Sequence, residues 1–439
     1  MSKIRPMTAV EKILARASGK ESVSPGDIVF PDPEVIMIHD ALVLPSKHEL
    51  DSLGIDRLYD PSRVVVVTDH EVLYTCARAA EIGATVREAV RDWKVEQFYD
   101  VGQGGHGHIF LDERGIILPG MFVFDNDRHC TTHGSIGAFA LRAGGEITRV
   151  LATGTLWTQI PKSIRMTMTG KLKPGVFARD VGFQMAKDLK AGGAYGVDMD
   201  YRVLELTGPG LDQFNWDGRV ALTTSPTEVR AIGVFIPPSE EMLAQIRAIA
   251  KKPFEPVYSD PDAEYDADLT IDLGNVEPQV ALTGGAANGV DVSEVVGTPI
   301  NHAFIGSCGS GKWEDLEIAA SVLKDNHIAP GVRMFIVPGT EDSNKRLRKE
   351  GLLDIFYDAG AMMLPPGCGP CNAGNMGPVH TGEVSISTAS TNLHGDMGEE
   401  GCELFLASPA TVAASAITGK VTDPRSNDAV VKFSEEHQR

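Results

Sequence analysis

The sequence predicts an α/β protein with more than one domain, and three observations carry that expectation. First, short apolar runs end in polar or glycine-rich residues: RVVVVTD (63–69), HAFIGSCGSG (302–311) and VRMFIVPGT (332–340). Such runs suit parallel strands buried on both faces. Second, WEDLEIAASVLKDN (313–326) follows one of them with helical patterning, as a strand–loop–helix unit requires. Third, 439 residues exceed what a single core organises, so two to four domains are expected.

Taken in order, MSKIRPMTAVEKILARASGK reads as an amphipathic helix with Val10, Ile13, Leu14 and Ala17 on its apolar side. It lacks the continuous apolar stretch of a secretion signal, and no run approaches the ~20 residues of a membrane span. A cytoplasmic protein is expected. PKSIRMTMTGKLKPG (161–175) reads as an edge strand and turn, with a boundary near residue 160. YSDPDAEYDADLTIDLGNVEPQ (258–279) is acidic, contains no long apolar run and reads as a linker or domain crossing, with a boundary near 283. The expected segments are 1–160, 161–283 and 284–425, followed by a polar C-terminal tail over 426–439.

A composition of 42% hydrophobic and 23% charged residues is that of an ordinary globular chain. The formal charge of −20 argues against a binder of nucleic acid or anionic membrane, since both need a basic surface. A local basic pocket for a small anion stays compatible with that total.

The six cysteines form no disulfide framework in so long a chain. Cys368 and Cys371 lie in PPGCGPCNAG, a loop that could serve a disulfide, a zinc ion, a redox pair or an iron–sulfur cluster. Cys308, in GSCGSG, also ends a strand-like run, giving the spacing C-x59-C-x2-C. Glycine-rich loops let backbone N–H groups approach a cofactor. Three thiolates fall one short of a closed four-ligand site, which suits a cluster with one open iron. The bland alternative is a buried Cys308 beside an incidental or redox C-x2-C. Cys76, Cys130 and Cys402 have no such setting and read as structural.

Three loops combine carboxylates with imidazoles: TDHE with Asp69 and His70, GQGGHGHIF with His106 and His108, and DNDRHCTTHGSIG with Asp125, Asp127, His129 and His133. A carboxylate beside a histidine orients the ring and favours its protonated form, as general acid catalysis requires. Each pair alone is also a common structural feature.

IGSCGSGKWEDLEIAA, PPGCGPCNAGNMG and LASPATVAASAITG resemble the aconitase superfamily, nearest to the large subunit of isopropylmalate dehydratase and homoaconitase-type hydro-lyases. The likeness runs from TAVEKILARASGKESVSPGDIV (8–29) to ASAITGKVTDP (414–424). It implies three α/β domains around a [4Fe–4S] cluster held by Cys308, Cys368 and Cys371 with one iron open. It matches Asp69 and His70 to a pair that protonates the departing hydroxyl, and His108 to a further active-site histidine. His106 falls in a loop one residue longer than usual. Asp127 and His129 match the family's D-S-H element, and Glu228 matches a glutamate that supports the iron-bound hydroxyl and a histidine. His39, in IHDALV, aligns with a substrate-contacting position.

Departures from the family pattern concentrate on substrate contacts. The element TSNRNFKGRMG supplies two arginines that clamp carboxylates in the family; here TASTNLHGDMG places Thr391 and Asp396 there, and Ser390 where asparagine stands. Neither replacement offers a bidentate, permanently charged fork. Arg128 replaces the serine of D-S-H, Thr224 replaces an asparagine, and Gly309 and Ser310 replace Thr-Asn. Arg128 is therefore expected to provide a relocated clamp for one carboxylate, with Ser390, Thr391 and Asp396 meeting other substrate groups. The function expected is that of a catalytic large subunit of a hydro-lyase acting on a small hydroxy acid, with a small subunit supplying the swivelling domain and its base. The alternative is a non-catalytic cluster-bearing sensor or regulatory paralogue.

Overall fold

The computed structural model describes residues 5–372 and 374–437. Residues 1–4 and 438–439, the ends of the first expected segment and of the expected tail, lie outside them, as does one residue of the cysteine loop, 373. Three large sheets organise the described residues, beside a two-stranded pairing of Ile28–Val29 with Thr158–Gln159. The first is all-parallel, in the order Gln97–Tyr99, Val64–Val67, Val35–His39, Phe122–Asp125 and Phe139–Arg142. The second is also parallel, in the order Gly233–Phe235, Arg202–Thr207, Lys162–Thr169 and Ala267–Asp272. The third runs Gly289–Asp291, Gln279–Ala281, Glu403–Ala407, Val384–Ser387, His302–Ile305, Arg333–Ile336 and Met362–Met363. Gln279–Ala281 runs antiparallel to both its neighbours, and the remaining pairs are parallel.

The apolar runs of the sequence become these strands because both faces are covered. Val64 to Val67 are all buried, as are His302 to Ile305. Helix Trp313–Leu323 follows as expected and buries Leu316, Ile318 and Val322. The N-terminal helix, Ala9–Ala17, starts at a reciprocal cap between Thr8 and Glu11 and buries Val10, Ile13 and Leu14. Among the described residues no helix is long and apolar enough to cross a membrane.

Three local expectations differ from the structure. Lys162–Thr169 is an interior strand, paired on both sides, not an edge. Its polar residues mislead because they alternate with Ile164, Met166 and Met168, which carry the core. The acidic linker contains the strand Ala267–Asp272 at the sheet edge, where one face stays in water and tolerates charge. Within the expected polar tail, helix Asp428–His437 buries Val430 and Phe433, two apolar positions three apart on one helix face.

Candidate active site

Ligand crevices in open α/β sheets form where the strand order reverses, outside the carboxyl ends. The first sheet reverses beside Val35–His39, the third beside His302–Ile305. The loops at these two points face each other. Gly105 bridges Thr340, and His106 N–H donates to Gly339 O (2.8 Å), tying the two sheets together. Gly105 has φ +123°, and a side chain there would meet Gly339 O at 2.5 Å, so the close approach depends on glycine.

Between them lies a cavity of about 140 Å³, lined by His70, His106, His108, Asp127, Arg128, His129, Ser307, Cys308, Cys368, Cys371, Asn372 and Thr391. Ser307 holds φ +68° on a non-glycine residue, a backbone strain that sets Cys308 at the start of a four-residue helical turn.

Carboxylates order the imidazoles on the first-sheet side. Asp69, fully buried, sits between His39 Nδ1 (2.8 Å) and His70 Nδ1 (2.8 Å), and accepts Gly107 N–H (2.9 Å). Asp40 Oδ1 lies 3.1 Å from the same His70 nitrogen. His39 Nε2 is 3.2 Å from His108 Nε2, which meets Asp125 Oδ2 at 3.0 Å. Burial alone would raise Asp69, yet His39 and His70 hold its carboxyl well below the ordinary range. Burial opposes charge on His70, but the Cys368 sulfur and the Asp69 and Asp40 carboxylates raise it well above the usual imidazole value. His108, equally buried, is pushed up to about 10, chiefly by Asp125.

On the opposite wall, His129 Nε2 lies 3.0 Å from Glu228 Oε1 and His129 Nδ1 lies 3.2 Å from Asp127 Oδ1. Burial opposes its charge; Cys308, Asp127 and Glu228 outweigh that and raise it well above the usual value. Arg128 Nη1 stands 3.4 Å from Glu228 Oε2 with its side chain 41% exposed. Glu228 caps the end of helix Trp216–Thr227.

The three cysteines of the C-x59-C-x2-C pattern share this one cavity. Burial disfavours a thiolate at Cys308, but His129, His106 and His108 hold its sulfur well below the usual thiol value. Burial keeps Cys368 and Cys371 raised. Ser390 Oγ is 2.9 Å from Cys308 Sγ, and His106 Nε2 is 3.2 Å from Cys368 Sγ. His108 Nδ1 is buried without a hydrogen-bond partner in the described residues. Three soft donors around one polar cavity, one of them favoured as thiolate, fit a thiolate-held iron–sulfur group. Cys76 is exposed, and Cys130 and Cys402 are buried outside the cavity lining.

The expected substrate contacts divide. Arg128 and Thr391 line the cavity; His39, Ser390 and Asp396 do not. His39 is completely buried behind His70 and His108, and Ser390 is engaged with Cys308. Asp396 turns back on its own loop, accepting the Thr391 hydroxyl and Leu393 N–H (2.7 Å).

Sequence reasoning passed over Asp40, which shares His70 with Asp69 and lies directly after the strand that ends in His39. It also passed over Arg179, whose guanidinium donates to Thr224 Oγ1, to Ser225 Oγ (3.3 Å) and to Ala389 O (2.6 Å). Burial lowers Arg179 to about 10. Thr224 and Gly309 border it: a side chain at 309 would come within 3.0 Å of the guanidinium carbon. Only that convergence, visible in three dimensions, marks the residue.

The chain is similar to known proteins over most of its length. The model of the aconitase family (aconitate hydratase) matches residues 11–299 and 291–419. The chain is 40% identical over 419 residues to 3-isopropylmalate dehydratase large subunit 1 of Methanopyrus kandleri, covering 95% of this chain and 99% of that one. It is 38% identical over 398 residues to a probable methanogen homoaconitase large subunit of Methanosarcina mazei, covering 90% and 100%. The 3-isopropylmalate dehydratase large subunit of Halothermothrix orenii is 36% identical over 419 residues, with 95% and 99% covered.

Proposed function

The chain belongs to the aconitase family, and on that premise we propose that it is the large subunit of a [4Fe–4S] hydro-lyase that dehydrates or isomerises a small hydroxy acid carrying fewer carboxylates than isopropylmalate or homocitrate. One observation supports this most directly: Cys308, Cys368 and Cys371 line the same cavity as His70, His108, Asp127 and His129. The three cysteines would hold the cluster, which when bound supplies a Lewis-acidic iron to weaken the C–O bond.

The chain's own residues account for the rest. His70 has Nδ1 occupied by Asp69 and Asp40, which leaves its other nitrogen to protonate the departing hydroxyl. Both carboxylates favour the charged ring, so the proton is in place before the reaction. His129, fixed by Glu228 and Asp127, bounds the opposite wall. Arg128, the permanently charged cation among the lining residues, takes a substrate carboxylate. A small subunit supplies the base that removes the proton from the neighbouring carbon, as the "large subunit" names of the relatives suggest.

The test is anaerobic co-expression with a cognate small subunit, followed by iron and sulfide analysis and a screen of hydroxy acids for alkene formation. Bound cluster with turnover supports the reading. Bound cluster without turnover of any hydroxy acid would favour the regulatory paralogue. Failure to bind iron after reconstitution would overturn both.

A further inference from the structure

Arg179 is 1% exposed, and among the described residues its guanidinium donates hydrogen bonds only to neutral oxygens, those of Thr224, Ser225 and Ala389. No carboxylate of the described residues lies within ion-pair distance, and its Nε has no hydrogen-bond partner there. Phe183 covers one face, 4.6 Å from the guanidinium carbon. A permanently charged group taken out of water without a counter-ion costs several kcal/mol by general solvation arguments. Such a cost persists in a folded protein when something else supplies the anion.

The surroundings identify the anion's side. Gly309, the residue after Cys308, presents its backbone directly to the guanidinium. Ala389, whose carbonyl accepts from Nη2, precedes Ser390, which touches Cys308 Sγ. The acidic groups whose charge would act on Arg179 are, in order, Cys308, Asp315, Cys371 and Glu228. Of the two acids, Glu228 is committed to His129 and Arg128. Asp315 caps its own helix by accepting Lys312 N–H (3.1 Å), and burial raises its carboxyl well above the usual value.

We propose that Arg179 is the buried counter-cation of the thiolate-held cluster, a positioning residue that stabilises the negative charge of the loaded Cys308 loop from behind. The proposal rests on the reading that the three cysteines bind a cluster. The local geometry serves it: Gly309 leaves room for the guanidinium, and Thr224 accepts from it. Charge and hydrogen bonding around cluster thiolates set both retention and potential.

The test compares wild type, Arg179→Lys and Arg179→Gln in the full chain, reconstituted anaerobically. Removing the cation should shift the cluster's reduction potential to more negative values and speed iron loss to a chelator roughly tenfold. It should also narrow the gap in Tm between loaded and cluster-free protein, because the cluster-free wild type buries a guanidinium with no carboxylate partner and the Gln variant does not. Arg179→Lys should restore most of each effect. If Arg179→Gln takes up no cluster, the cluster-free Tm decides: a rise supports the proposal and a fall overturns it. Unchanged potential, iron loss and Tm gap in a fully loaded Gln variant would overturn it, as would an Asp315→Asn variant that reproduces the same shifts. A wild-type chain that binds no cluster would instead remove the proposed function itself.

Discussion

Thr391 donates its hydroxyl to the Asp396 carboxylate, and that carboxylate also accepts Leu393 N–H at 2.7 Å. Two residues expected to face the substrate thus satisfy each other, and only Thr391 lines the cavity. Asp396→Asn should leave the KM of the native substrate almost unchanged and cost about 1 kcal/mol of stability from the weakened turn. Steady-state kinetics and denaturant unfolding check both. A large rise in KM would mean that Asp396 reaches the substrate after all.

Thr391→Arg puts a guanidinium where the cavity has a hydroxyl. Dicarboxylic hydroxy acids should then bind at least about tenfold more tightly, since a charge-assisted hydrogen bond contributes roughly 1.5–3 kcal/mol. If Arg128 takes a substrate carboxylate as proposed, Arg128→Ser should raise KM for the native substrate more than it lowers kcat, because that carboxylate does not itself react. Efficient turnover of isopropylmalate by the unmodified complex would sink this account of specificity.

Asp40→Asn keeps the shape of the residue beside His70 but removes one of its two carboxylates. The ring loses part of the field that keeps it protonated, and kcat should fall by roughly 10- to 100-fold with iron content intact. Metal analysis beside kinetics separates this from a damaged cluster site.

Cys308→Ser, Cys368→Ser and Cys371→Ser should each deplete iron, because oxygen is a poorer ligand for a soft site. Cys76 is exposed, and Cys402 donates from its thiol to Glu399 O (2.8 Å) outside the cavity. Serine at either should leave iron content near normal. Equal behaviour of all five variants would void the ligand assignment.

His302 gives the fold an acid sensitivity of its own. Burial, with Arg333 nearby, lowers its ring to about 3. The unfolded chain takes up a proton below about pH 6.5 and the folded chain does not, so stability falls with falling pH across that window. Between pH 7 and 5 the loss should be about 2 kcal/mol. His302→Gln should flatten that slope in chemical unfolding; an unaltered slope would place the acid sensitivity elsewhere.

The α/β class was legible in the sequence, and so were most of the polar and cysteine residues that the structure gathers around one cavity. Short apolar runs such as Val64–Val67 and His302–Ile305 have few stable fates other than buried strands, and Asp69, His70 and Cys308 sit in the polar or glycine-rich stretches that follow them, while Cys368 and Cys371 share a loop of glycine and proline. Patterning failed where a strand mixes polar with apolar residues, as at Lys162–Thr169 and Ala267–Asp272, because neighbouring strands rather than local preference decide those segments. Only the tertiary structure decided what each side chain faces. It put His39 behind the imidazoles, closed Asp396 onto Thr391, and brought Asp40 to His70 across 30 positions. It also set Arg179 against Gly309 and Thr224, positions far apart in the chain. Those relationships depend on loops from different sheets meeting at their strand ends, and contacts made across such a gap leave no periodicity in the sequence for any one segment to reveal.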